Sequence, residues 1–196
     1  MDRLTAFNDA IASIAITLLI LPLVSDAQAI GGQTLRQFVD AKSDDILAFV
    51  ISWLVIALLW RTQHRILENV RGHTPRLSGE MFIWMFAIVF LPFPTELISV
   101  KPDTAGGFNA LYIGTILLAS VAMALEQREI SLTPALHGPD GPPLYDPVVN
   151  FTIVFVVAVA FVLALVAPQV GLWPLFLLFL GHPLQAWLGR RRGVSG

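Results

Sequence analysis

The sequence predicts an all-α integral membrane protein with six transmembrane helices in one domain spanning residues 1–196. Three observations carry this prediction. The chain is 56% hydrophobic and only 13% charged, with a mean hydropathy of +0.73, whereas soluble domains carry about 25% charged residues. Its apolar stretches recur at the length of about 20 residues that a helix needs to cross a bilayer core. Connections rich in Arg, Gly, Pro or small polar residues separate those stretches.

The first segment runs from about residue 5 to 24, with Pro22 marking its end. A polar connection, Ser25 to Ser43, holds Gly31-Gly32. The second segment spans about 45–67, with an apolar core from Ile46 to Trp60. Arg61 to Gly79 is basic and polar. The third segment, about 80–98, is interrupted by Pro92 and Pro94. After a short loop, the fourth spans about 108–125. Glu126 to Asp146 reads as the longest late loop, with five Pro or Gly residues between Gly138 and Pro143. The fifth spans about 148–167, Pro168-Gln169 makes a tight turn, and the sixth spans about 170–188 before the Arg190-Arg191-Arg192 tail. No internal repeat is visible.

The start of the chain also has features of a signal peptide: Arg3, an apolar run, and Ala27-Gln28-Ala29 in the A-x-A pattern. Asn8-Asp9 stands against that reading, because it falls where the apolar region begins. The expectation is a retained first helix. Lys and Arg set the orientation. With six spans, Arg3, Arg61, Arg65, Arg71, Arg76, Arg128, Arg190, Arg191 and Arg192 share the side of the termini, and only Arg36, Lys42 and Lys101 lie opposite. Both termini are therefore expected in the cytoplasm.

Composition excludes several functions. The net charge of −2 and the lack of a basic patch with interleaved aromatics argue against nucleic-acid binding. Zero cysteines exclude disulfides, thiol chemistry and thiolate-bound metal. The four His residues show no metal-ligand spacing. No P-loop, G-x-G-x-x-G or G-x-S-x-G is present, so nothing points to an enzyme or a bound cofactor.

The first segment has two unlike faces. Ile14, Leu18 and Leu21 follow i, i+4, i+7 spacing and form one stripe. Thr17 borders it. At about 100° per residue, Asp9 points about 140° away from Ile14. An aliphatic stripe can face lipid, a neighbour or, in a symmetric oligomer, its own copies around an axis. A carboxylate inside a membrane helix is costly and is usually paired or lines a cavity. Asp9 and Asn8 lie at the depth of Trp60 and His64, which share a face of the second segment. A contact between them is expected, chiefly as a lock between two helices. His182, Glu96 and Glu126 read as groups at helix ends.

Arg3, Phe7, Asn8 and Asp9 resemble the R-x-x-x-F-S-D signature that opens the first helix of the transmembrane protein 175 family, which comprises potassium channels of bacteria, archaea and animal endolysosomes. The I-A-I-T-L-L-I-L-P run resembles the family's pore helix. Trp60 and His64 resemble its W-x-x-x-H, and Leu91-Pro92-Phe93 its L-P-F. The resemblance implies a single-repeat prokaryotic member that forms a homotetramer in lipid, with the first helix lining a central pore. It implies that Ile14, Leu18 and Leu21 narrow that pore and that Thr17 matches a threonine layer linked to ion selectivity. Arg3, Phe7, Asn8, Asp9, Trp60 and His64 would form the hydrogen-bond network that holds the helix. Asn8 stands where the family has serine.

The expected function is therefore a potassium-preferring cation channel of the cell membrane. It has a hydrophobic gate, no T-V-G-Y-G filter, and no cofactor beyond the permeant potassium ion. The rivals are a proton-coupled secondary transporter using Asp9 and His64, and a membrane scaffold without transport.

Overall fold

The computed structural model describes residues 2–29, 31–32, 34–100, 107–138 and 147–167. The expected sixth segment, its preceding turn and the Arg tail lie outside the described residues, as do Lys101 and His182. The described elements are all helical: α1 (Asp2–Leu18), α2 (Leu21–Gln28), α3 (Leu35–Ala41), α4 (Ser43–Leu67), α5 (Pro75–Phe90), α6 (Pro92–Val100), α7 (Gly107–Leu132) and α8 (Pro147–Val166), with a 3-10 turn at Pro134–Leu136.

By length and composition, four stretches can cross a membrane: Arg3–Gln28, Ser43–Leu67, Pro75–Ser99 and Gly107–Leu132. Phe151–Val166 is a shorter apolar helix. Each of the first and third stretches is two helices end to end. Proline explains both joints. It fixes its own φ and lacks the N–H that a continuing helix needs, yet suits a first turn. Pro22 therefore restarts the first span as α2 rather than ending it, and Pro92 opens α6.

Other boundaries also differ from the sequence reading. The polar connection after the first span contains α3, whose start is fixed by a capping box: Gln37 N–H donates to the Thr34 hydroxyl and the Thr34 N–H donates to Gln37 Oε1 at 2.9 Å. Gly31 and Gly32 adopt φ of +53° and +89°, the left-handed region that glycine enters without penalty, and so turn the chain back toward α3. The fourth span also runs seven residues beyond Leu125 to Leu132, which places Glu126 inside a helix instead of at its end.

The core forms around α5 and α7, which pack along each other, and α8 covers another side of α7. Trp84, Met81 and Ile88 from α5 meet Tyr112, Ile113 and Ile116 from α7 in one buried cluster. α1 lies against α4 and α5. Lipid-facing positions stay apolar: Phe82, Phe86, Val89 and Phe93 are all exposed. In hydrocarbon such exposure carries no hydrophobic penalty, and polar groups must find partners inside. One buried hydroxyl set does so across three helices. Thr95 donates to Ser52 at 2.9 Å, and Ser52 meets the Tyr112 hydroxyl at 3.0 Å.

At the far end of α2, Lys42 binds Asp26 at 2.8 Å and Asp45 at 3.2 Å, which ties α2 to the start of α4. Hydrogen bonds to Asp26 and then Asp45 hold the Lys42 ammonium above its ordinary value of 10.5. A group whose folded value is raised contributes stability that is present at neutral pH and lost as pH climbs through the raised value. Thermal melts of the wild type should therefore lose a contribution at strongly alkaline pH. Lys42→Met should melt lower at neutral pH and lack that alkaline component.

Candidate pore face and its supporting cluster

Burial divides α1 lengthwise. Asn8, Ala12, Ala15 and Leu19, spaced i, i+4, i+7, i+11, are buried against the body of the subunit. The two alanines allow the α1 backbone to approach closely, as small residues do between membrane helices. The opposite face is open. Ile14 is 57% exposed, Leu18 39% and Leu21 53%, and Thr17 lies exposed among them. The Thr17 hydroxyl donates to the Ile14 carbonyl at 2.8 Å. A hydroxyl has one proton and two lone pairs, so this bond leaves the oxygen free to accept or to coordinate a cation. The break between α1 and α2 follows directly after Leu18. Pro22 has no N–H to give the Leu18 carbonyl.

One cluster fixes how α1 is rotated. The Trp60 indole N–H donates to Asp9 Oδ1 at 2.8 Å. His64 Nδ1 lies 3.7 Å from the same oxygen, and the Trp60 and His64 rings pack with centroids 5.6 Å apart. Trp60 and His64 meet Asp9 because they sit one turn apart on α4, which runs antiparallel to α1.

The other residues expected in this network share α1 with Asp9 but stay outside the cluster. Phe7 is 51% exposed, and Arg3 is exposed too. Both project away from Asp9, since their positions on the helix are more than 90° from it. Asn8 is buried, but it does not join the cluster. One residue along, the helix turns by about 100°, so its side chain enters the core, where neither its Oδ1 nor its Nδ2 has a hydrogen-bond partner.

The sequence reading places Glu126 at a helix end, but it joins Gln63 in a second polar group. That group fills the same end of the bundle. Gln63 on α4 donates to Glu126 on α7 at 2.7 Å, with both side chains buried. Nearby, Arg76 binds Glu80 at 3.1 Å and Glu129 at 3.5 Å. Thr74 caps α5 by accepting from the Leu77 N–H and donates to Glu129 at 3.2 Å. The sequence carried little signal for this group, because Gln63 sits in a basic, polar stretch and Glu126 is followed by Gln127, Arg128 and Glu129. Among the described residues no group of three or more His, Asp or Glu could hold a metal.

The chain is similar to several known proteins. Residues 3–92 match the family model described as endosomal/lysosomal potassium channel TMEM175. A potassium channel of Streptomyces collinus is 29% identical over 151 residues, covering 76% of this chain and 69% of the relative. The endosomal/lysosomal proton channel TMEM175 of Danio rerio is 25% identical over 124 residues, 63% of this chain but only 24% of that protein. The crystal structure of a lysosomal potassium-selective channel TMEM175 homolog from Chamaesiphon minutus shares the fold, with a TM-score of 0.67 over 97% of this chain and 96% of that one, at 21% identity.

The Trp60 to Asp9 bond is open to a double-mutant cycle. Asp9→Asn and Trp60→Phe should each lower unfolding stability. Their coupling should be about 1 kcal/mol, within the range for hydrogen bonds between membrane helices. A coupling of zero would mean that the bond does not hold α1 to α4.

Proposed function

We propose that this chain is a member of the TMEM175 channel family, whose model its residues 3–92 match, and that it is a homotetrameric, potassium-preferring cation channel of the cell membrane with both termini in the cytoplasm. Four copies of α1 surround the axis. Their open faces stack rings of Ile14, Leu18 and Leu21, and the Thr17 hydroxyls lie between them. The observation that carries this reading is the unpartnered aliphatic face of α1, opposite a face packed tightly into its own subunit.

Aliphatic rings offer no ligand to an ion and close a pore by dewetting. Opening widens or rotates them. The Thr17 oxygens, with their protons already donated within the helix, replace part of the hydration shell as the ion passes. Without a cage of backbone carbonyls, selectivity for potassium is weaker than in T-V-G-Y-G channels.

A second reading, a proton-coupled transporter, draws on the 3.7 Å approach of His64 to Asp9. It also draws on the name of the zebrafish relative, a proton channel. It predicts saturable uptake that requires a proton gradient, whereas the channel reading predicts flux down a potassium gradient alone.

Purified protein in liposomes should pass potassium faster than sodium. Leu18→Asn and Ile14→Asn should raise the basal leak several-fold, because a polar ring wets the constriction. Flux unchanged in both variants would remove these residues from the pore. Asp9→Ala should lower tetramer stability more than it changes ion preference. A well-assembled Asp9→Ala tetramer with inverted selectivity would place Asp9 on the ion path instead.

A further inference from the structure

Glu126 poses a problem that its position alone does not solve. Its side chain is wholly buried in α7, and its one hydrogen-bond partner among the described residues is a neutral carboxamide: Gln63 Nε2 donates to Glu126 Oε2 at 2.7 Å. The two remaining oxygens of this pair, Gln63 Oε1 and Glu126 Oε1, are both buried without a partner. An ionised carboxylate only accepts. In that form the pair would hold two acceptors without donors, together with a full charge opposite a neutral group. Both are expensive in an apolar interior.

Among the described residues, the surroundings supply no cation. On α5 the charged neighbour is Glu80, a like charge whose Oε1 is already held by Arg76. Arg76 also binds Glu129 on α7. On α4, the residue after Gln63 is His64, which turns to Asp9. The described part of α8 carries no titratable residue. The His137 ring, beyond the 3-10 turn, is taken by the Ile130 carbonyl at 2.9 Å.

A single proton resolves the pair. Placed on Glu126 Oε1, it turns one orphan acceptor into the donor that the other lacks. We propose that Glu126 is a proton-binding site inside each subunit, and that the bound proton closes a head-to-tail acid–amide pair with Gln63 that fastens α7 to α4. The site stands apart from the open face of α1 and does not depend on the channel reading. Its consequence for α1 is mechanical. Gln63 lies three residues along α4 from Trp60, which holds Asp9. Loss of the proton would free two acceptors and a charge between α4 and α7, next to the point where α4 grips α1.

Infrared spectroscopy of the purified protein in lipid at neutral pH tests this directly. The wild type should show the C=O stretch of a protonated, buried carboxylic acid. Glu126→Gln should abolish that band and melt close to the wild type, because a carboxamide offers the same donor and acceptor. Gln63→Leu should keep the acid and shift its band to higher frequency, because it removes both hydrogen bonds, and it serves as the test should Glu126→Gln fail to assemble. Absence of the band from the wild type, its persistence in Glu126→Gln, or a band unmoved by Gln63→Leu would each overturn the proposal. The last result would also point to water as the partner of Glu126.

Discussion

The hydrogen bond from Trp60 to Asp9 sets the rotation of the first helix, and much of the remaining structure follows from that rotation. With Asp9 pinned to α4 at 2.8 Å, Asn8, Ala12, Ala15 and Leu19 turn into the subunit. Ile14, Thr17, Leu18 and Leu21 turn out. In lipid the hydrophobic effect barely distinguishes a buried leucine from an exposed one. Sorting the two faces therefore falls to close packing at the alanines and to a few polar contacts. A helix carrying only aliphatics would have no reason to prefer one rotation.

α4 is the element through which these polar contacts are distributed. Ser52 joins the hydroxyls of α6 and α7. Trp60 holds α1. Gln63 holds α7. Each bond between membrane helices contributes modestly, about 0.6 kcal/mol on average, yet each also rules out rotations and registers that would leave its polar atoms in hydrocarbon. α4 thus acts as a keyed shaft, and a shift along it would break contacts to three neighbours together.

The apolar spans were legible from the sequence because hydropathy reads burial in a membrane directly, and α4, α5 with α6, α7 and α8 overlap the expected segments, with α5 starting earlier and α7 ending later than expected. The two-sided character of α1 was legible from the spacing of Ile14, Leu18 and Leu21 and from the place of Asp9. The meeting of Asp9 with Trp60 and His64 was legible from their common depth on antiparallel helices. Other features were not. Pro22 and Pro92 read as breaks, but whether a helix restarts after a proline is decided by its packing. The capping box of α3 is a local signal hidden in a polar loop. Glu126 read as a helix-end group because a run of charged and polar residues follows it. Only the fold reveals that the helix continues and that Gln63 faces it. Phe7 and Arg3 resemble the signature by sequence, yet among the described residues their side chains stay outside the Asp9 cluster.

The central claim is that the open face of α1 meets its own copies around an axis. The chain contains no cysteine, so single substitutions report cleanly. Leu18→Cys, assembled in lipid and mildly oxidised, should form disulfide-linked dimers of subunits, whereas Phe86→Cys, more exposed but on α5, should remain monomeric on a denaturing gel. Cross-linking at Phe86 with none at Leu18 would contradict the account, since it would put lipid against the face assigned here to the pore.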